Sequence, residues 1–194
     1  SNSKLTGFTP FGPSAIPCYE GGEVPRAMTE DDIWQSIEQF ADAARRAKTA
    51  GFDAIDIHSA HGYLPAAFLS PLANTRTDRW GGSLDNRCRY LLEVIRRIRK
   101  EAGPDFPITV KFSADEYLEG GVRLEDSVTI VQKLEKAGAS AFQVSAGAVG
   151  GKNIAVLEQP HTFMRTLPMA VSPACLVYLA EAIKKKVSIP VIAI

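Results

Sequence analysis

Apolar residues recur along this chain in two periods that take turns. Between Thr29 and Gly51, the residues Ile33, Ile37, Phe40, Ala44 and Ala47 fall at the spacing that lines one face of an α-helix. Thr29 followed by Asp32 resembles a capping box, and Gly51 supplies a C-terminal stop, so a helix is predicted between them. The segments Phe52–His58, Ile108–Ser113, Ala141–Ser145 and Ile189–Ile194 are short, β-branched or aromatic, and punctuated by glycine or proline, which predicts strands. Helical patterns over Asn86–Ala102, Glu125–Ala137 and Pro173–Lys186 separate them. Strands divided by whole helices cannot be hairpins and must run parallel through right-handed crossovers, which makes the class α/β. Residues 1–28 carry Pro10, Pro13, Pro17, Pro25 and four glycines with no apolar period, and read as irregular chain.

Side-chain parity within the strands narrows the architecture, because successive residues face opposite sides of a sheet. Ile55 and Ile57 share a face while Asp56 and His58 share the other. Val110 and Phe112 oppose Thr109, Lys111 and Ser113, and Phe142 and Val144 oppose Gln143 and Ser145. An open doubly wound sheet buries both faces under helices and tends to continuous apolar runs, so a polar face on three strands fits it poorly. A (β/α)8 TIM barrel accommodates the pattern: the outer face packs on helices, and inward polar residues near the strand C-termini reach the active-site face. His58, Lys111 and Ser145 are then expected to converge on one ligand, the alternative being internal hydrogen bonds that plug the barrel. A whole barrel of this kind takes ~250 residues. The chain begins with Ser rather than Met and stops in an apolar run, so residues 1–194 are expected to form one incomplete barrel domain, roughly strands four to seven, of a longer protein.

Composition removes several function classes. Of 194 residues, 45% are apolar and 23% charged, with 22 Lys+Arg against 22 Asp+Glu, which disfavours disorder and an electrostatic nucleic-acid binder. No apolar stretch approaches the ~20 residues of a membrane span, and the N-terminus lacks the pattern of a signal peptide, so a cytoplasmic protein is expected. Cys18, Cys88 and Cys175 are too few and scattered for a disulfide framework and form no CxxC pattern. Idle thiols are the expectation. The Lys184–Lys186 run closes a helix, where cations favour the C-terminal dipole, and needs no nucleic-acid partner.

The candidate chemistry lies where a strand ends at His58 and runs into Ser-Ala-His61-Gly-Tyr63, placing two imidazoles and a phenol at the start of a βα loop. Two histidines three apart could chelate a metal, but only Asp56 offers itself as a third ligand. As hydrogen-bond donors the pair could grip one oxygen of a carbonyl, carboxylate or nitro group, stabilising enolate-like charge, with Tyr63 close enough to give a proton. The run Asn74–Arg87 is expected to brace the long loop through Arg hydrogen bonds rather than bind a ligand. The glycine-bearing loop from Ser145 to Gly151 could face the substrate, and His161 could reach the pocket, though a solvent-facing place suits it better.

The segment Gly51–Leu64, with its His58-Ser-Ala-His61-Gly-Tyr63 core, followed by Phe68-Leu-Ser-Pro71, Asn74-Thr-Arg76-Thr-Asp78-Arg-Trp-Gly81-Gly-Ser83 and Asn86-Arg87, resembles the Old Yellow Enzyme family of FMN-dependent ene-reductases. The upstream stretches Gly12–Pro17 and Pro25–Met28 resemble the loop after that family's third barrel strand. The text is nearer the bacterial, 2,4-dienoyl-CoA reductase and enoate reductase branches than the yeast-type enzymes. The resemblance implies that His58 and His61 bind the oxygen of the activating group and that Tyr63 delivers a proton to the substrate α-carbon. It also implies that FMN, reduced by NADH or NADPH, gives a hydride to the β-carbon. Where the family often has an arginine near flavin N1, this chain has Lys111, which keeps the charge but loses the planar fork. The resemblance further implies a small-molecule substrate with an activated alkene, and that branch often adds an iron–sulfur cluster and a second flavin domain outside this chain; a homo-oligomer is left open by the sequence. The 194-residue chain alone is expected to bind FMN poorly or not at all, with activity belonging to a longer parent, and the competing expectation is a catalytically silent fragment or pseudo-enzyme that needs a partner chain.

Overall fold

A computed structural model describes residues 3–17, 22–148 and 174–194. In chain order its elements are α1 (Ser3–Thr6), β1 (Phe11–Gly12), β2 (Arg26–Ala27), α2 (Glu30–Thr49), β3 (Ile55–Ser59), α3 (Leu64–Leu69), α4 (Leu84–Ala102), β4 (Ile108–Ser113), α5 (Leu124–Ala137), β5 (Ala141–Ser145), α6 (Val177–Lys184) and β6 (Val191–Ala193). The N-terminal stretch expected to be irregular holds one helical turn and the two-residue parallel pair β1–β2, which joins Phe11 to Arg26. Backbone pairing alone makes this ribbon, which is why no apolar period announced it.

The main sheet has the order β3-β4-β5-β6, all parallel and in chain order. Crossovers of a single hand in an unreversed order place the connecting helices on one face of the sheet. That face is the apolar one. The register rows Ile57–Val110–Phe142–Val191 and Ser59–Phe112–Val144–Ala193 carry it. Ile57, Val110, Phe112, Phe142 and Val144 are buried there in one core with Ile33 and Ile37 of α2, Leu91 and Ile95 of α4, Ile130 and Leu134 of α5, and Leu179 and Ile183 of α6. The opposite rows are Asp56–Thr109–Ala141 and His58–Lys111–Gln143–Ile192, with Ser113–Ser145 beyond them. The alternation of the sequence is thus the two-sidedness of the sheet. At the base of the polar side the Asp56 carboxylate ties three strands, accepting hydrogen bonds from Thr109 Oγ1 and from Gln143 Nε2, the latter at 3.0 Å.

Local chemistry sets the element ends. At α2 the Thr29 hydroxyl accepts from the Asp32 amide at 3.2 Å while the Asp32 carboxylate accepts from the Thr29 amide at 2.7 Å, the capping box the sequence suggested. Arg26 forks onto the same carboxylate at 2.6 and 3.0 Å and, with these bonds, holds Asp32 far below the usual carboxylate range. Helix α4 begins at Leu84, two residues before the expected Asn86, because Ser83 caps the Asn86 amide at 3.3 Å. Strand β3 begins at Ile55 rather than Phe52, whose ring is 66% exposed and contributes nothing to the sheet. The C-terminal helix and strand are likewise shorter than expected, at Val177–Lys184 and Val191–Ala193. Helix α3 went unforeseen, being too short to display a period, although Pro65 sits in its first turn, where proline is tolerated.

The Asn74–Arg87 stretch is a brace. Asn74 Nδ2 donates to the carbonyls of Phe68 and Trp80, each at 2.8 Å, and Arg76 reaches back to the carbonyls of Pro13 and Met28 at 3.0 and 2.6 Å. Arg87 Nε donates to the Leu69 carbonyl at 2.8 Å and Nη1 to that of Gly82 at 2.6 Å. Gly81 lies so close beneath this knot that a Cβ would stand 2.5 Å from the Arg76 carbonyl oxygen. Gly81→Ala must therefore push backbone against backbone, and we expect it to lower stability by about 2 kcal/mol, read as a reduced denaturant midpoint at unchanged slope.

Candidate active site

At the C-terminal end of β3 the chain makes a two-residue reversal. His61 and Gly62 both have positive φ, 57° and 77°, and the Tyr63 amide donates to the Ala60 carbonyl at 3.2 Å, the arrangement of a type I′ turn. A left-handed conformation costs a non-glycine residue energy and needs outside support. Here the His61 amide donates to Ser113 Oγ at 3.1 Å, and Ser113 in turn donates to the Gly147 carbonyl at 2.6 Å. Two neighbouring strand ends therefore hold the turn.

The reversal gathers the three predicted side chains. The His58 ring lies 5.4 Å from that of His61 and 4.7 Å from that of Tyr63, both edge-on, and Tyr63 is 60% exposed at the start of α3. His58 Nδ1 accepts from the Ala60 amide at 3.2 Å, so a neutral ring carries its proton on Nε2. Desolvation by the surrounding chain, first, and the Lys111 ammonium, second, hold the His58 imidazole below its ordinary value, with Asp56 opposing them. His58 is thus a neutral Nε2–H donor at neutral pH.

His61 Nε2 is 2.9 Å from Ser145 Oγ, a buried hydroxyl 7% exposed at the end of β5. Lys111 pairs in register with His58 and forms no ion pair among the described residues. The expected convergence of His58, Lys111 and Ser145 resolves into two levels: His58 beside Lys111 in one row, and Ser145 one step higher against His61. Sequence reasoning missed the Ser145–His61 and Ser113–His61 bonds, which parity alone could place on one face but not pair. Cys18, His161 and the rest of residues 149–173, including the end of the Ser145–Gly151 loop, lie outside the described residues. Burial raises the Cys88 thiol to about 11, which keeps it protonated and unreactive. Among the described residues no group of three or more His, Cys, Asp or Glu could hold a metal, and no helix is long and apolar enough to cross a membrane.

A one-sided parallel sheet with its polar cluster at the strand C-termini is the architecture of a sector of a (β/α)8 barrel. Residues 9–193 match the NADH:flavin oxidoreductase / NADH oxidase family. The chain is 45% identical to an NADH oxidase of Thermoanaerobacter brockii, over 97% of this chain and 27% of that protein. It is 44% identical to an NADPH dehydrogenase of Halalkalibacterium halodurans, over 92% of this chain and 48% of that protein. In structure it is similar to a 2-naphthoyl-CoA reductase (TM-score 0.83, 31% identity, 95% of this chain and 27% of the other). It is also similar to an Old Yellow Enzyme homologue from Zymomonas mobilis (TM-score 0.73, 27% identity, 100% of this chain and 52% of the other). The chain belongs to the NADH:flavin oxidoreductase / NADH oxidase family, the Old Yellow Enzyme group, and spans about a quarter to a half of the length of these relatives.

The depressed His58 value has a measurable sign. A folded-state histidine that resists protonation leaves the unfolded chain binding more protons, so this contribution to stability is fully present above the unfolded value, begins to fade as pH drops below it, and is lost as pH falls through the lower folded-state value. In a histidine-resolved NMR titration, His58 should show a midpoint below 6.5, and Lys111→Met should move it upward by removing the neighbouring cation.

Proposed function

We propose that this chain is the catalytic sector of an FMN-dependent, NAD(P)H-driven oxidoreductase that reduces the activated C=C bond of an α,β-unsaturated carbonyl, enoate or enoyl-CoA. The observation that carries the reading is the cluster of His58, His61 and Tyr63 at one strand end, beside a lysine that has no counter-ion among the described residues. A half-buried, uncompensated cation suits an electron-rich ring, so Lys111 would hold the flavin's electron-rich edge, with the His58 ring flanking the flavin through its face while its one N–H stays free for substrate. Bound there, FMN would supply hydride chemistry toward the substrate β-carbon, with NADH or NADPH as the source of electrons.

The chain's own residues do the remainder. His58 Nε2–H and the His61 ring grip the activating oxygen and stabilise the negative charge that grows there as the alkene is reduced. Preorganisation makes this effective: the His58 ring is fixed by the Ala60 amide and His61 by Ser113 and Ser145, so little rearrangement accompanies the charge. Tyr63, exposed beside His58, gives its hydroxyl proton to the α-carbon. In this reading residues 1–194 form one incomplete barrel domain of a longer cytoplasmic protein, acting on small molecules and open to homo-oligomeric assembly.

A second reading, a silent fragment sustained by a partner chain, draws on the sheet itself. Among the described residues β3 and β6 each pair on one side only, and open strand edges invite association. Sedimentation separates the two, because a folded monomer of the isolated chain removes the need for a partner.

In the full-length protein, His61→Ala should lose phenol binding and most enone reduction while retaining FMN. Tyr63→Phe should cut alkene reduction roughly 100-fold while flavin reduction by NADPH, followed by its bleaching, proceeds unchanged. Undiminished enone turnover in both variants would sink the role assignment.

A further inference from the structure

Beneath the His61 turn lies a cavity of about 10 Å³ bordered by Ser59, His61, Phe112, Ser113 and Glu116 among others. It has room for the centre of one water molecule. Two polar groups on its wall have no part in the chemistry described above. Ser59 points to the apolar side of β3, is 1% exposed, and its hydroxyl has no hydrogen-bond partner among the described residues. A buried hydroxyl left in that state is costly, and an ordered water is the common remedy.

Glu116, which follows β4, is the second. It is 4% exposed and accepts hydrogen bonds from Ser70 Oγ at 2.9 Å and from the Val122 amide at 2.7 Å, both on Oε2. Gly121 closes over the same oxygen, where a Cβ would stand at 2.6 Å. With Oε2 occupied as an acceptor, a proton on this carboxyl sits on Oε1. Around it stand Asp115 beside it in the chain, Arg87 from α4, Ser70 after α3, Val122 before α5, and His61 across the cavity. Asp115 is itself 3.4 Å from Arg123. Burial above all pushes Glu116 up to about 7, so its charge changes near neutral pH.

We propose that the cavity holds one bound water joining Ser59 Oγ to the Glu116 carboxyl beside His61, and that Glu116 is thereby a positioning residue whose charge governs how tightly the site holds an anion. The second half rests on the reading of the site given above, whereas the water does not. The neutral carboxyl donates Oε1–H to the water, which completes the Ser59 bond and leaves the ground behind His61 uncharged. Loss of that proton puts a negative charge behind the ring meant to hold a negative oxygen, in a place water screens poorly.

The test uses the flavin-loaded full-length protein, with pentafluorophenolate, an anion at every pH used, as probe. Its affinity should fall roughly tenfold as pH rises through neutrality, and Glu116→Gln should hold the tighter value throughout. Ser59→Ala, which removes one anchor of the water, should shrink the pH step without loss of FMN. Infrared difference spectra should show a protonated carboxyl band that fades over the same range and is missing in Glu116→Gln. A high-resolution crystal structure should place a water within hydrogen-bond distance of both Ser59 Oγ and Glu116. A dry cavity, an infrared band that survives Glu116→Gln, or an unchanged pH step in that variant overturns the proposal. Failure of the wild-type protein to bind the phenolate at any pH overturns the anion-affinity half and the reductase reading with it, while the crystallographic water and the infrared band still decide the first half.

Discussion

The strand-end cluster depends on one hydroxyl. Ser113 Oγ takes the His61 amide and gives its own proton to the Gly147 carbonyl, so the ends of β3, β4 and β5 are joined through three atoms. Without that pin, a histidine with φ of 57° would relax toward a right-handed conformation and the two imidazoles would part. The turn is the means by which a chain that must alternate sides along a strand brings residues three and five positions apart to a common centre.

The support beneath the turn is layered. The Asp56 carboxylate ties β3, β4 and β5 at the base of the polar face, and the Asn74–Arg87 brace fastens the long connection after α3 to β1, β2 and the start of α4. Tyr90 stacks on Phe68 at 4.1 Å and hydrogen-bonds Ser36 at 3.0 Å, locking α3, α4 and α2 together under the site. Each bond in this set runs from a side chain to a distant backbone or partner, so the loop is held without regular secondary structure.

How much of this was legible follows from the physics of each element. Strand parity in Ile55–His58, Ile108–Ser113 and Ala141–Ser145 is a local property, and it foretold both faces of the sheet. The capping of α2 by Thr29 and Asp32 is equally local. The cluster of His58, His61 and Tyr63 could be read as adjacent because a short loop cannot carry them apart. The Ser145–His61 bond, by contrast, spans residues 84 apart in sequence, and no period or spacing encodes it. Glu116 escaped notice for a related reason: an acidic residue in a loop looks solvated until Ser70, Val122 and Gly121 are seen to close around it.

Because scaffold and chemistry occupy alternate positions of the same strand, the two can change independently. Val110 and Phe112 face the helices while Lys111 between them faces the polar side, so a mutation at Lys111 alters the electrostatics of the mouth and leaves its flanking neighbours packed as before. A lineage built on this sheet can therefore explore new guests one inward residue at a time, under little threat of unfolding, and diversity of reaction should outpace diversity of form.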